Sequence, residues 1–117
     1  MPKARTKLVI ASTTSTQNSG LFDILIPAFE KTAHYGISVE VIAVGTGQAI
    51  RLAKKGDADL LFVHDPFREE KFVAEGYGVN RRPVMHNDFV IVGPGSDPAR
   101  IKGFKSVIDA FELIAEK

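Results

Sequence analysis

The amino-acid sequence predicts an α/β domain in which helices flank a mostly parallel β-sheet. Its 117 residues, of which 44% are hydrophobic and 25% charged, match the size and composition of one folded domain. Short apolar runs of strand length alternate with stretches of helical periodicity, which is the element order of a parallel sheet with crossover helices. The runs are apolar on both strand faces, as strands between two helix layers require.

Four apolar runs are predicted strands. They cover residues 7–11, 38–44, 59–63 and 88–92. Pro83 lies shortly before the fourth run, and proline is restricted to the edges, starts and irregular positions of strands. We therefore expect a hinge-like crossover at Pro83, followed by a Gly- and Pro-rich loop at residues 93–98.

A first helix is predicted between the first two strands, because apolar residues recur there at i, i+3, i+4, i+7 and i+8. These residues are Leu21, Ile24, Leu25, Ala28 and Phe29. Pro27 removes one backbone hydrogen bond and crowds the turn before it, so a kink or a break into two helices is expected at residues 23–27. Gly36 ends this helical segment.

Three further helices are predicted. Two of them, at residues 48–55 and 66–75, each follow a strand and end at a glycine. The last helix carries an apolar stripe close to residue 117. The stripe consists of Val107, Ile108, Phe111, Ile114 and Ala115.

Composition and charge exclude several functional classes. With 15 Lys and Arg against 14 Asp and Glu, the net charge is +1, and no basic block is present to bind a nucleic acid. The sequence has no cysteine, which excludes disulfides, thiolate nucleophiles and cysteine-based zinc sites. No apolar run reaches the roughly 18 residues of a membrane span, and residues 8–11 are too short a run for the core of a secretory signal, so we expect a soluble chain.

A candidate site is predicted at the carboxyl ends of the first two strands, where open parallel sheets bind ligands. Five consecutive hydroxyl side chains, residues 12–16, follow the first strand, and Gly45, Thr46 and Gly47 follow the second. Hydroxyls and the unpaired N–H groups of helix N-termini donate hydrogen bonds, and glycine lets a ligand approach the backbone. The sequence therefore predicts a donor-rich site for a small anion. The structural alternative is that the hydroxyl run only caps a helix, with Thr16 as the cap.

Nucleotides are disfavoured as ligands, because neither loop has a Walker A motif or a dinucleotide-binding fingerprint. His64 and Asp65 follow the third strand and are either a general base with its orienting carboxylate or a hydrogen-bonded structural pair. The first interpretation makes a small hydrolase or phosphatase-like enzyme an alternative function. No nucleophile with a companion base is evident, and the three histidines lack metal-ligand spacing, so we predict neither catalytic residues nor a metal-cation site. Arg81 and Arg82 are either a solvated pair or a source of attraction for an anion.

Several sequence blocks follow one another along nearly the whole chain. They are STTSTQNSGL at residues 12–21, VGTGQA at 44–49, GDAD at 56–59, VHDP at 63–66, EGYGVNRRPVM at 75–85 and NDFVIVGP at 87–94. In these blocks the chain resembles the tungstate-binding subfamily of ABC-transporter solute-binding proteins. The family's first motif begins with threonine, and Ser12 stands at that position here with the hydroxyl retained.

The resemblance implies a type II periplasmic-binding-protein fold, with two α/β lobes joined by crossover strands. Members of this family are considerably longer than the present chain. Residues 1–84 are therefore expected to form the first lobe with its oxyanion loops, residues 85–92 a crossing strand, and residues 93–117 an incomplete start of the second lobe.

The resemblance also implies a function in transport. The expected ligand is tungstate or molybdate with no further cofactor, and the expected partner is a membrane permease that receives the ligand from the periplasm or the cell exterior. The implied oxyanion-binding residues are Thr13, Thr14, Ser15, Thr46 and Gly47. Accessory positions are Ser12, His64, Arg81 and Arg82. A site made of donors suits a fully ionised dianion better than hydrogen phosphate, whose proton needs an acceptor.

Without the rest of a second lobe, the apolar stripe of the last helix has no partner. We expect the helix either to fold back over its own sheet or, preferentially, to pair with a second copy of the chain. Exchange of residues 84–117 across Pro83 is one route to such a homodimer. An interaction module with a vestigial anion pocket is the remaining alternative function.

Overall fold

A computed structural model describes residues 6–32 and 36–116, and its internal contacts divide the chain into two units, Met1–Arg82 and Pro83–Lys117. The first unit contains seven elements in the described residues. They are β1 (Thr6–Thr13), α1 (Thr14–Asn18), α2 (Leu21–Thr32), β2 (Ile37–Val44), α3 (Thr46–Lys54), β3 (Leu60–Phe62) and α4 (Pro66–Ala74). The second unit contains α5 (Val107–Ala115). In the described ranges, every helix is too short or too polar to cross a membrane.

The three strands form one parallel sheet in the order β2-β1-β3. β1 is the central strand, and its last four residues are buried, including Ile10 and Ala11 of the core. The register places Thr13 opposite Val44 and Ser12 opposite Phe62. The fold is therefore the predicted α/β arrangement, with the carboxyl ends of all three strands at one edge of the sheet.

The predicted fourth strand at residues 88–92 is wrong, and so is the crossing strand expected at 85–92. Residues 79–94 have no regular secondary structure, and the apolar side chains of Phe89, Val90 and Val92 are exposed. A strand is stable only when a neighbouring strand accepts and donates its backbone hydrogen bonds, and β1 to β3 pair only with one another. Apolar composition alone predicted a strand that has no pairing partner within the described residues.

Pro27 does not break α2, which is assigned as one helix from Leu21 to Thr32. The break between two helices lies upstream, where Gly20 adopts a φ of 81° between α1 and α2. Glycine reaches this left-handed conformation without the steric penalty that a side chain brings. Proline removes only the one hydrogen bond that its own nitrogen would donate, and the helix continues on both sides of that gap.

The apolar residues whose spacing predicted α2 are not the residues that pack against the sheet. Phe22 is the buried residue of the helix and Ile26 is partly buried, whereas Ile24, Leu25 and Phe29 are exposed. Phe22 packs edge-on against Phe62 of β3, with the ring centroids 5.5 Å apart. Because α2 has apolar residues on two faces, its periodicity predicted a helix correctly but did not identify the face that meets the sheet.

The last helix agrees with the prediction in position. Ser106 caps α5, because its hydroxyl accepts a hydrogen bond from the backbone N–H of Asp109 at 3.4 Å. Ala110 is the buried residue of α5. The side chains of the predicted stripe that are large and apolar are exposed, namely Val107, Ile108, Phe111 and Ile114.

Candidate functional site

The hydroxyl run from Ser12 to Thr16 is divided between a strand and a helix. Ser12 and Thr13 are the last residues of β1, and Thr14 begins α1. The helix thus begins at Thr14, before Thr16, which the sequence indicated as a candidate cap. As a result, neighbouring hydroxyls of the run differ in burial and in their hydrogen-bond partners.

Ser12 is fully buried inside the sheet. Its hydroxyl donates a 2.7 Å hydrogen bond to the backbone carbonyl of Phe62 on β3. This bond satisfies the only hydrogen that the side chain can donate. Ser12 therefore ties β1 to β3, and its side chain lies beneath the sheet edge where a ligand would have access.

Thr13 caps α1, a role that the sequence assigned to Thr16. The Thr13 Oγ1 accepts a hydrogen bond from the backbone N–H of Thr16 at 3.3 Å and lies 2.8 Å from the Thr16 Oγ1. Only 4% of Thr13 is exposed. The cap is at Thr13 because the chain leaves the extended conformation there, with φ −108° and ψ 152°, and the next residue is helical.

Thr14 and Ser15 form the exposed part of the hydroxyl run. The Ser15 Oγ lies 3.3 Å from the Thr13 Oγ1 and 3.5 Å from the Nε2 of His64. His64 is exposed and follows β3, so this pair joins the ends of two neighbouring strands. The structure thus brings the exposed Ser15 hydroxyl and one imidazole together at the sheet edge, with the exposed Thr14 next to Ser15 in the chain.

The second loop opens α3 directly at Thr46, two residues earlier than predicted. Gly45 precedes the helix and offers no side chain to cap it, whereas Thr13, Asp65 and Ser106 cap the helices that follow them. The N–H groups in the first turn of a helix have no acceptor within the helix and carry partial positive charge. Those of Thr46 and Gly47 are therefore available to a ligand at this edge.

The register of the sheet places the two loops side by side. Thr13 and Val44 are opposite each other, so Thr14 and Gly45 both follow directly from adjacent strand ends. His64 emerges on the other side of β1, two residues after Phe62. Hydroxyl donors, backbone N–H groups and one imidazole thus surround the carboxyl edge of the central strand.

Arg68 on α4 is a residue of this region that the sequence prediction missed. A methyl group on the Cα of Gly47 would lie 3.4 Å from the Arg68 Nη1, so the guanidinium contacts the first turn of α3. Asp65, the N-cap of α4, accepts a hydrogen bond from the Arg68 backbone N–H at 3.2 Å and pairs with its Nε at 3.3 Å. The helical spacing of Asp65 and Arg68 predicts their ion pair, but no sequence signal indicates contact with Gly47, which is distant along the chain.

A groove of about 220 Å³ extends from Gly47 between α3 and α4. Its other lining residues are Ile50, Lys54, Arg68, Lys71 and Phe72. At its far end, Glu75 lies 3.0 Å from the Lys54 Nζ and 3.8 Å from the Lys71 Nζ. The hydrogen bond from Lys54, supported by the charges of both lysines, holds the pKa of Glu75 below its usual value.

The remaining predicted positions lie elsewhere or have other partners. Arg81 donates through its Nε to the Glu69 Oε1 on α4 at 3.2 Å, and Arg82 is exposed. The carboxylate of Asp65 is engaged with Arg68 and has no recorded contact with His64 in the described residues. Within residues 6–32 and 36–116, no three His, Asp or Glu side chains come close enough together to hold a metal ion.

Comparison with known proteins assigns a family to the chain. Residues 2–116 match the model of the PBP superfamily domain. Among curated proteins, the tungstate-binding protein TupA of Peptoclostridium acidaminophilum is 45% identical over 117 residues, which are 98% of this chain and 40% of that protein.

Two solved structures are similar over almost the whole chain. The tungstate-binding protein TupA from Desulfovibrio alaskensis is 46% identical with a TM-score of 0.85, over 95% of this chain and 43% of that one. The tungstate ABC transporter structure from Geobacter sulfurreducens is 54% identical with a TM-score of 0.78, over 94% of this chain and 47% of that one. The chain thus spans less than half the length of each of these relatives.

Proposed function

The chain belongs to the family of PBP superfamily domains, and on this basis we propose that it binds a small tetrahedral oxyanion, tungstate or molybdate, as the solute-binding component of an ABC transporter. Relatives named as tungstate-binding proteins support the ligand class at 45% and 46% identity. The observation that carries the proposal is the register of β1 and β2, which puts the hydroxyl loop and the glycine loop at adjacent positions of one sheet edge.

The proposed ligand contacts are of two kinds. Thr14 and Ser15 donate through hydroxyls that are exposed at the edge, and Thr46 donates through its hydroxyl and its backbone N–H. Gly47 contributes a backbone N–H in the first turn of α3. Each hydrogen bond to a charged group contributes about 1.5–3 kcal/mol, so a few such donors suffice to hold a dianion.

Three further predicted positions have different roles in the proposal. Thr13 positions the loop by capping α1, and its hydroxyl contacts Ser15 within the same cluster. His64 lines the site through its contact with Ser15. Ser12 supports the strand ends from below, through its bond to Phe62.

The donor chemistry of the site favours fully ionised oxyanions. Tungstate and molybdate are dianions at neutral pH, and every oxygen accepts hydrogen bonds. Hydrogen phosphate carries a proton that needs an acceptor, and because the hydroxyls and the His64 imidazole at this edge can accept as well as donate, the preference against it is weak. We propose delivery of the bound anion to a membrane permease, with the complete protein acting in the periplasm or outside the cell.

The proposed function is non-catalytic. A hydrolase using His64 as a base needs a carboxylate that orients the imidazole, and Asp65 instead caps α4 and pairs with Arg68. Incubation with a panel of phosphate esters should give no turnover. Turnover that disappears in His64→Ala would contradict this part of the proposal.

Calorimetric titration of the chain with tungstate, molybdate, sulfate and phosphate, in separate runs, tests the proposed function. We expect saturable heat with tungstate and molybdate, and weaker binding of phosphate. Circular dichroism on the same sample establishes that the chain is folded. A folded chain that gives negligible heat with all four anions would overturn the proposal.

A further inference from the structure

We propose that Arg68 supplies a positive charge to the oxyanion site, an inference that rests on the proposed function. The loops at the ends of β1 and β2 offer only neutral donors, namely hydroxyls and backbone N–H groups. The guanidinium of Arg68 lies beside these loops, because its Nη1 would be 3.4 Å from a methyl group placed on the Cα of Gly47. Arg68 enters the site from α4, and neither sequence block that forms the loops contains it.

The position of the guanidinium is set by Asp65. The same carboxylate accepts from the Arg68 backbone N–H at 3.2 Å and pairs with the side-chain Nε at 3.3 Å. This pairing occupies Nε, and the contacts recorded for the described residues leave the terminal nitrogens Nη1 and Nη2 without an acceptor. Guanidinium nitrogens of this kind form strong, charge-assisted hydrogen bonds with oxyanions.

Arg68 differs from the two lysines of the groove in where its charge is directed. Lys54 and Lys71 lie on either side of Glu75, at 3.0 Å and 3.8 Å, and their charges are directed at that carboxylate. Arg68 is the cation of the groove that contacts Gly47, the residue placed at the ligand. Its charge therefore attracts an anion at the first turn of α3, where the partial positive charge of the N–H groups attracts an anion too.

The test compares tungstate binding by the wild-type chain, Arg68→Gln and Arg51→Gln. Arg51 is an exposed cation of α3 that does not line the groove, so both variants lower the net charge from +1 by the same amount. We expect Arg68→Gln to raise the dissociation constant about tenfold at low salt, the effect of one lost charge-assisted contact. Arg51→Gln should bind as the wild type does.

Salt dependence separates a charge effect from a structural one. The Debye length falls from about 30 Å at 0.01 M salt to about 3 Å at 1 M, so the difference between wild type and Arg68→Gln should shrink as salt is added. Arg68→Lys, which keeps the charge, should retain most of the affinity and its salt dependence. Melting curves of all variants should coincide, because the exposed pair with Asp65 contributes little to stability.

Three results would overturn the inference. Equal affinities of Arg68→Gln and Arg51→Gln would show that the guanidinium does not act on the ligand. A loss of affinity that is the same at every salt concentration would show that Arg68 acts by shaping the loop. A folded wild-type chain that does not bind tungstate would overturn the proposed function itself, and the charge assignment with it.

Discussion

At the scale of single residues, the neighbouring hydroxyl side chains of residues 12–16 have different structural roles. Ser12 is buried and bonds to β3, Thr13 caps α1, and Thr14 and Ser15 are exposed at the sheet edge. The sequence predicted the location of this donor cluster, because a hydroxyl run after a buried strand is visible in the sequence. It did not predict which hydroxyls are buried, which one caps α1 and which are exposed, because this depends on the residue at which β1 ends and α1 begins.

The hydroxyl groups of Thr14 and Thr46 are expected to contribute most clearly to the affinity for tungstate. Thr14→Ala and Thr46→Ala should each weaken tungstate binding by about 1–3 kcal/mol, because each removes a donor to a charged group. Thr13→Ala should instead lower stability by about 1 kcal/mol, because it removes the α1 cap. Titration calorimetry and melting curves with and without tungstate separate the two effects.

Thr32 provides a matched control for these substitutions. It lies in the last turn of α2, where its hydroxyl donates to the carbonyl of Phe29, away from the carboxyl edge of the sheet. Thr32→Ala should leave tungstate affinity unchanged. Unchanged affinity in Thr14→Ala and Thr46→Ala as well would place the site elsewhere on the molecule.

Glu75 should make stability depend on pH at acid pH. The hydrogen bond from Lys54 lowers its pKa below 4.5, so the stabilisation is complete above that pH. It is lost as the pH falls from 4.5 through the lower pKa of the folded state, where the carboxylate becomes protonated. Urea denaturation between about pH 3 and pH 6 should show a smaller loss for Glu75→Gln than for the wild type. Identical pH profiles for the two proteins would contradict the assignment of this ion pair.

At the scale of elements, periodicity predicted where helices form better than how they pack. The positions of α4 and α5 were predicted within one or two residues, because their caps and apolar repeats are local features. The packing face of α2 and the absence of a strand at residues 88–92 depend on partners distant along the chain. The contact of Arg68 with Gly47 belongs to the same class, since it requires knowledge of how α4 lies against α3.

Substitution of Gly78 tests how tightly the residues after α4 pack against that helix. A side-chain methyl group at Gly78 would lie 2.5 Å from a ring carbon of Phe72, the buried residue of α4. Phe72 also packs against Tyr77, with the ring centroids 5.9 Å apart, so it has little room to move. Gly78→Ala should therefore lower the free energy of unfolding by about 1–3 kcal/mol, as other overpacking substitutions do.

Gly93 is the matched control for Gly78. It has no atom within 4 Å of the position that a methyl group would occupy, and its φ is not in the left-handed region. Gly93→Ala should have a small effect on thermal or chemical unfolding. Equal stability of Gly78→Ala and Gly93→Ala would contradict the close contact between Gly78 and Phe72.

At the scale of the whole molecule, exposed apolar side chains predict association between copies of the chain. Phe89, Phe111 and Ile108 are each more than half exposed, and the boundary between the two units falls at Pro83. Exposed apolar surface of this kind associates, and exchange of residues 84–117 remains our prediction for the route. Light scattering over a concentration series should show a dimer that dissociates on dilution, whereas a monomer at every concentration would contradict it.

The proposed binding site for a tetrahedral oxyanion lies where β1 and β2 end. Backbone amide NMR signals measured during a titration with tungstate test it most directly, because they report the location of the ligand residue by residue. We expect the largest shifts, and saturable ones, at Thr14, Ser15, Thr46 and Gly47, with little change along α5. Saturable shifts confined to other residues, or none in a folded chain, would contradict it.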